Sequence, residues 1–154
     1  MVQKKKMSYQ SARRLAREEM TAATQQVAQK FEEKLCKINR RRVLTQYDLG
    51  AKTEDLLTSP EVYGEDGLGQ FAAFINIEGG TKRLCEMRNV AIVFSREFIA
   101  EQASTPTSAG DFLHFEDFVA LAKIPSETLR TELLRSIRAD ELSVAQLHQL
   151  VTTI

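Results

Sequence analysis

Tryptophan is absent from this chain of 154 residues, proline occurs three times, and cysteine and histidine occur twice each. Two cysteines, Cys36 and Cys85, are too few for a disulfide framework or a zinc site, and each reads as a small half-buried hydrophobe. His114 and His148 stand far apart with no Cys, His or Asp cluster at metal-ligand spacing, so neither reads as a ligand or a catalyst. No apolar run approaches the ~20 residues needed to cross a bilayer. The start, MVQKKKMSYQ, is basic with no apolar stretch behind it and reads as no secretory signal. Gly64-x-x-Gly67-x-Gly69 lacks a preceding strand and a following Lys-Ser/Thr, which excludes a phosphate loop. No Ser/His/Asp or Cys/His arrangement stands in a catalytic context. The expectation is a protein without cofactor, metal or enzymatic activity, not in a membrane, in a reducing cytoplasmic setting.

Apolar residues make up 43% of the chain, enough for a packed core. With few helix breakers and many Ala, Leu, Glu, Gln, Arg and Lys, an all-α fold follows. Net charge is zero, yet it is unevenly spread. Residues 1–50 hold 12 Lys/Arg and 5 Asp/Glu, a balance of +7, and residues 51–154 hold 9 and 16, a balance of −7. Such asymmetry marks a basic arm on an acidic body.

The chain divides into a flexible basic tail (1–7), a long helical arm (8–58) and a helix-turn-helix-containing helical domain (59–154). Ser8 is placed to cap a helix starting near Tyr9. Ala16, Met20, Ala23, Val27, Phe31, Leu35 and Ile38 recur by fours and threes, a helical stripe close to a coiled-coil seam. The arm is either one helix or two joined near Arg40–Arg42. Its stripe packs along the rest of the chain or pairs with a second copy. Met20, Val27, Phe31, Leu35 and Ile38 form the candidate oligomerisation seam.

Ser59-Pro60 ends the arm and Tyr63-Gly64 turns the chain. Asp66 is placed to cap a short helix at about 67–76. Glu78-Gly79-Gly80 then makes a tight turn, and Thr81 caps a helix running to about Glu101. A short apolar helix, a glycine turn and a helix that starts cationic form the layout of a helix-turn-helix. At the start of the second helix Lys82, Arg83 and Arg88 are suited to phosphates and guanine edges, and Asn89 to adenine. Arg40, Arg41 and Arg42, with Lys4, Lys5 and Lys6, are dense cationic clusters suited to phosphate neutralisation. The stretch ASTPTSAGD (103–111) reads as a mobile loop or linker. Short helices follow at His114–Lys123, from Ser126, and from Ser143, with Asp111, Glu116 and Asp117 read as helix-capping acids.

Two stretches carry a family resemblance: TQYDLGAKTEDLL…VYGEDGLGQFAAFINIEGGTKRLCEMRNVAIVFS and LHFEDFVALAKIPSETLRTELLRSIRADELSVAQLHQLV. Together they resemble the N-terminal helical domain that precedes PD-(D/E)XK nuclease domains in a bacterial family of unknown function. The second is also similar to the helical DNA-binding part of ParB and KorB partition proteins, through Leu121-Ala122-Lys123-Ile124 and Leu142-Ser143-Val144-Ala145-Gln146-Leu147. The resemblance implies DNA contact by the helix-turn-helix through Thr81, Lys82, Arg83, Glu86 and Asn89. The nucleotide-binding motifs of the partition proteins are missing, so it implies a fold and a binding tendency rather than an activity.

The leading expectation is a bacterial, non-enzymatic protein of the cytoplasm or nucleoid that binds double-stranded DNA as a regulator or nucleoprotein component. A dimer would suit palindromic sites. The alternative is a helical assembly or adaptor protein that oligomerises through its N-terminal coiled coil and docks a partner protein.

Overall fold

The structure, a computed structural model, describes residues 9–153, with side chains from residue 12. The tail 1–7, its lysines Lys4, Lys5 and Lys6, and the Ser8 cap lie outside the described residues. Every regular element among the described residues is a helix, so the fold is all-α.

The arm is two helices, and the join is not at Arg40–Arg42. α1 spans Tyr9–Glu19 and α2 spans Ala22–Thr58. The break falls at Met20–Thr21. Thr21 has extended backbone angles and its hydroxyl accepts the Thr24 N–H at 3.2 Å, which starts a new helix. α1 folds back beside α2, where Arg13 reaches Glu32 at 2.8 Å and the Gln25 amide donates to the Arg17 carbonyl at 2.9 Å. α2 then runs unbroken for 37 residues, about 55 Å at ~1.5 Å per residue.

The two halves of α2 differ. From residue 39 on, α2 presents Asn39, Val43, Leu44, Tyr47, Gly50, Thr53 and Leu56 inward, and residues 22–38 bury no side chain. α2 ends at Ser59, before Pro60, and a single turn, α3 (Pro60–Tyr63), leads to α4 (Gly67–Ile75). Asp66 takes the position before α4 without a side-chain cap bond. Asn76 (φ 49°) and Gly79 (φ 87°) turn the chain into α5 (Gly80–Val93) through left-handed backbone.

The helix expected from Thr81 to Glu101 is also two helices. Thr81 lies inside α5, after its first residue. Phe94 is extended, the Ser95 hydroxyl accepts the Phe98 N–H at 3.1 Å, and α6 (Arg96–Ser104) begins there. α7 (Phe115–Ala122), α8 (Glu127–Arg138) and α9 (Val144–Thr153) follow. Ser126 and Ser143 each accept the N–H three residues on, as their positions in the sequence suggest.

α5 is the central beam. Its Leu84, Met87 and Val90 are buried, and it packs on α2, α4 and α7. α6 lies on α2, and α9 on α7. Phe118, Leu121, Ile124, Leu134, Ile137 and Leu147 complete one core with Val43 and Tyr47. The second half of the arm and residues 59–154 therefore share that core.

The 103–111 stretch is fastened to the body rather than loose. The Arg138 guanidinium donates to the Thr105 and Pro106 carbonyls, and the Ser108 N–H to the Arg138 carbonyl. Thr107 and Ala109 are buried. Asn39, 7% exposed, donates from one amide nitrogen to the carbonyls of Ala103 and Leu113 at 2.9 and 3.0 Å. It ties α2 to both ends of that loop.

Candidate functional site

The cationic start of α5 is mostly engaged within the molecule. Arg83 is half-buried, ion-paired with Glu116 and placed over the Phe115 ring. Arg88 is bound to Glu54 of α2. The Asn89 amide donates to the Ala122 carbonyl at 3.3 Å. Glu86 is half-buried, while Thr81, Lys82 and Cys85 are exposed. The residues chosen to read a groove thus divide: Thr81 and Lys82 face solvent, and Arg83, Arg88 and Asn89 hold α5 to α7, α2 and the end of α7. The reason is the position of α5. A helix covered by three others has only a narrow solvent face, so its long polar side chains reach the neighbouring helices.

Arg40, Arg41 and Arg42 are exposed on α2. With Lys30, Lys34 and Lys37 they give residues 22–42 six Lys/Arg against two Glu, a balance of +4. Arg40 also lines a shallow depression with Arg96, Glu97 and Glu101.

The apolar seam residues divide as well. Val27, Phe31, Leu35 and Ile38 are each more than half exposed. Steps of four, four and three keep them within about 80° of arc on a helix of ~100° per residue, a different face from Asn39 and Val43. Met20 lies outside α2, in the bend, half-buried beside Ala16, Gln25 and Ala28. It does not continue the seam. Four large apolar side chains are thus left in water along one face of the helix.

A second exposed apolar set went unread in the sequence. Val62 of α3 and Phe74 of α4 are 70% and 90% exposed, and Leu57 and Ile75 are also in solvent. They lie in a stretch, Thr53–Thr81, that carries six carboxylates and neither Lys nor Arg. That run without a cation was the available signal. It was hidden because half-chain totals average it with the basic residues after Thr81.

His148 and Asp117 do come together. Asp117, 2% exposed, accepts the His114 N–H through Oδ2 at 2.8 Å, and its Oδ1 lies 3.3 Å from His148 Nε2. With Oδ2 used as a helix cap and Oδ1 facing His148, Asp117 ties α9 to α7. Among the described residues no cluster of His, Cys, Asp and Glu is arranged to hold a metal, and no helix is long and apolar enough to cross a membrane.

Comparison with known protein families, with characterised proteins and with solved structures finds no match to this chain.

Proposed function

We propose that this chain is a non-catalytic helical assembly protein that associates with further copies of itself through the first half of α2. The observation that carries the reading is the exposed stripe of Val27, Phe31, Leu35 and Ile38 on a helical stretch, residues 22–38, that buries nothing. Ordinary surfaces scatter single apolar residues; a straight row on one helical face is what a helix–helix seam needs. The second half of α2 is built into the core, so an arm held at the seam positions the whole body.

The test is sedimentation equilibrium of the purified protein. A chain of 17.4 kDa is expected to show a mass that rises with concentration, and Val27→Asp with Phe31→Asp to return it to the monomer. A monomeric wild type at every concentration overturns the reading.

A second reading, binding to duplex DNA, is favoured by the exposed Arg40–Arg42 triplet and the nearby lysines on the same arm. Such a surface gives phosphate contacts without base choice, and it is compatible with an assembly laid on DNA. Anisotropy with a labelled random duplex at ~50 and ~200 mM salt checks it. Several phosphate contacts make affinity fall by orders of magnitude over that range, and Arg41→Glu should weaken it further. No binding at the lower salt removes this reading.

A further inference from the structure

We infer that the association is head to tail: the basic apolar face of α2's first half on one copy covers the acidic apolar α3–α4 segment of the next. This rests on the assembly reading above and specifies its partner surface. Among the exposed large apolar side chains of the described residues, which also include Ile92, Leu129, Val144 and Leu150, the α2 stripe and the α3–α4 set stand in stretches of opposite charge. Val27, Phe31 and Ile38 stand among six Lys/Arg in residues 22–42. Val62 and Phe74 stand in a stretch of six carboxylates without a cation, of which Glu54 is paired with Arg88 and Asp55 with Lys52 just before the stretch.

One copy cannot bring its own two surfaces together. Ile38 and Glu54 sit on the same unbroken α2, about 24 Å apart along a helix rising ~1.5 Å per residue. Pairing arm to arm instead sets +4 against +4, with Glu32 already drawn to Arg13, and like charges across a seam disfavour it. Pairing arm to α3–α4 removes apolar surface from water and neutralises charge at once. Because the two surfaces differ, each added copy leaves one of each exposed. The contact propagates into a filament or closes into a ring.

Sedimentation velocity on the full chain tests this, using wild type, Phe31→Asp, Phe74→Asp and an equimolar mixture of the two variants. Both positions are in solvent, 58% and 90% exposed, so neither substitution enters the core; unchanged circular dichroism melting confirms it. Wild type should form species beyond the dimer as concentration rises. Each variant alone should stay monomeric, its self-association weakened at least ~100-fold by a carboxylate in the apolar centre of the contact. The mixture should form a dimer and stop there, since one variant keeps only its arm and the other only its acidic segment. Phe31→Asp abolishing assembly while Phe74→Asp leaves it intact would mean an arm-to-arm seam, which overturns the head-to-tail inference and keeps the assembly reading. No dimer in the mixture also overturns it. A wild type that never associates overturns both.

Discussion

At the residue scale, Gly50 and Tyr47 show how closely α2 is fitted to its neighbours. A Cβ at Gly50 would overlap the Met87 carbonyl of α5, so at this crossing two backbones meet with no side chain between them. Gly50→Ala should therefore destabilise the fold by about 1–3 kcal/mol, as overpacking does, against the small gain Ala gives in an open helix. Urea denaturation decides between the two. Tyr47 is buried and its hydroxyl donates to the Phe94 carbonyl at 2.7 Å. Burial, then the nearby Glu97 and Asp48 carboxylates, push its phenol above the ordinary 10.0. The folded state keeps the proton at a pH where the unfolded chain loses it. That contribution is whole below pH ~10 and is lost as pH rises further. Tyr47→Phe should cost about 1 kcal/mol near neutrality for the lost hydrogen bond. It should also flatten the fall in stability between pH ~9 and ~11, read from urea midpoints. An equally steep fall in the variant would assign it to other groups.

At the element scale, sequence and structure agree wherever a serine cap stands before a fresh apolar pattern. Ser126 and Ser143 are such cases, and the stop before Pro60 also agrees, set by the proline, since Ser59 makes no side-chain cap bond. They part where the apolar spacing runs through a break. Val90, Phe94 and Phe98 continue by fours, which is why one helix from Thr81 to Glu101 is the natural reading. The structure breaks it at Ser95 and keeps the apolar contact, with the Phe94 and Phe98 rings stacked at 5.4 Å between centroids. Thr21 breaks the arm in the same way, while Ala16 to Val27 keep helical spacing across it. Spacing reports which residues share a face, and a cap decides whether one helix or two carry them. Loss of the Ser95 cap by Ser95→Ala should cost about 1 kcal/mol, a lowered melting midpoint with unchanged helical content. The candidate site was less legible for a related reason. A cationic run at the start of a helix looks the same whether the helix is covered or free, and only the tertiary arrangement sends Arg83, Arg88 and Asn89 to Glu116, Glu54 and Ala122.

At the scale of the whole molecule, the described arm residues before Asn39 lie outside the core. The buried residues begin at Asn39 and the core runs from Val43 to Leu147. α1 and residues 22–38 add polar contacts such as Arg13–Glu32, an ion pair with both side chains partly in solvent, and such pairs contribute little to stability. A chain beginning at residue 34 should then fold. It loses the Thr21 cap and starts α2 frayed, a cost of about 1 kcal/mol. For a domain of this size that lowers the melting midpoint by roughly 4 °C. The same chain lacks Val27 and Phe31, so it should sediment as a monomer where the full chain associates. It keeps the acidic α3–α4 surface, and so it should also cap assemblies of the full chain when mixed in, shortening them in proportion to the amount added. A truncated chain that fails to fold would show that the core depends on residues before 34. One that folds and still associates would place the seam in the body.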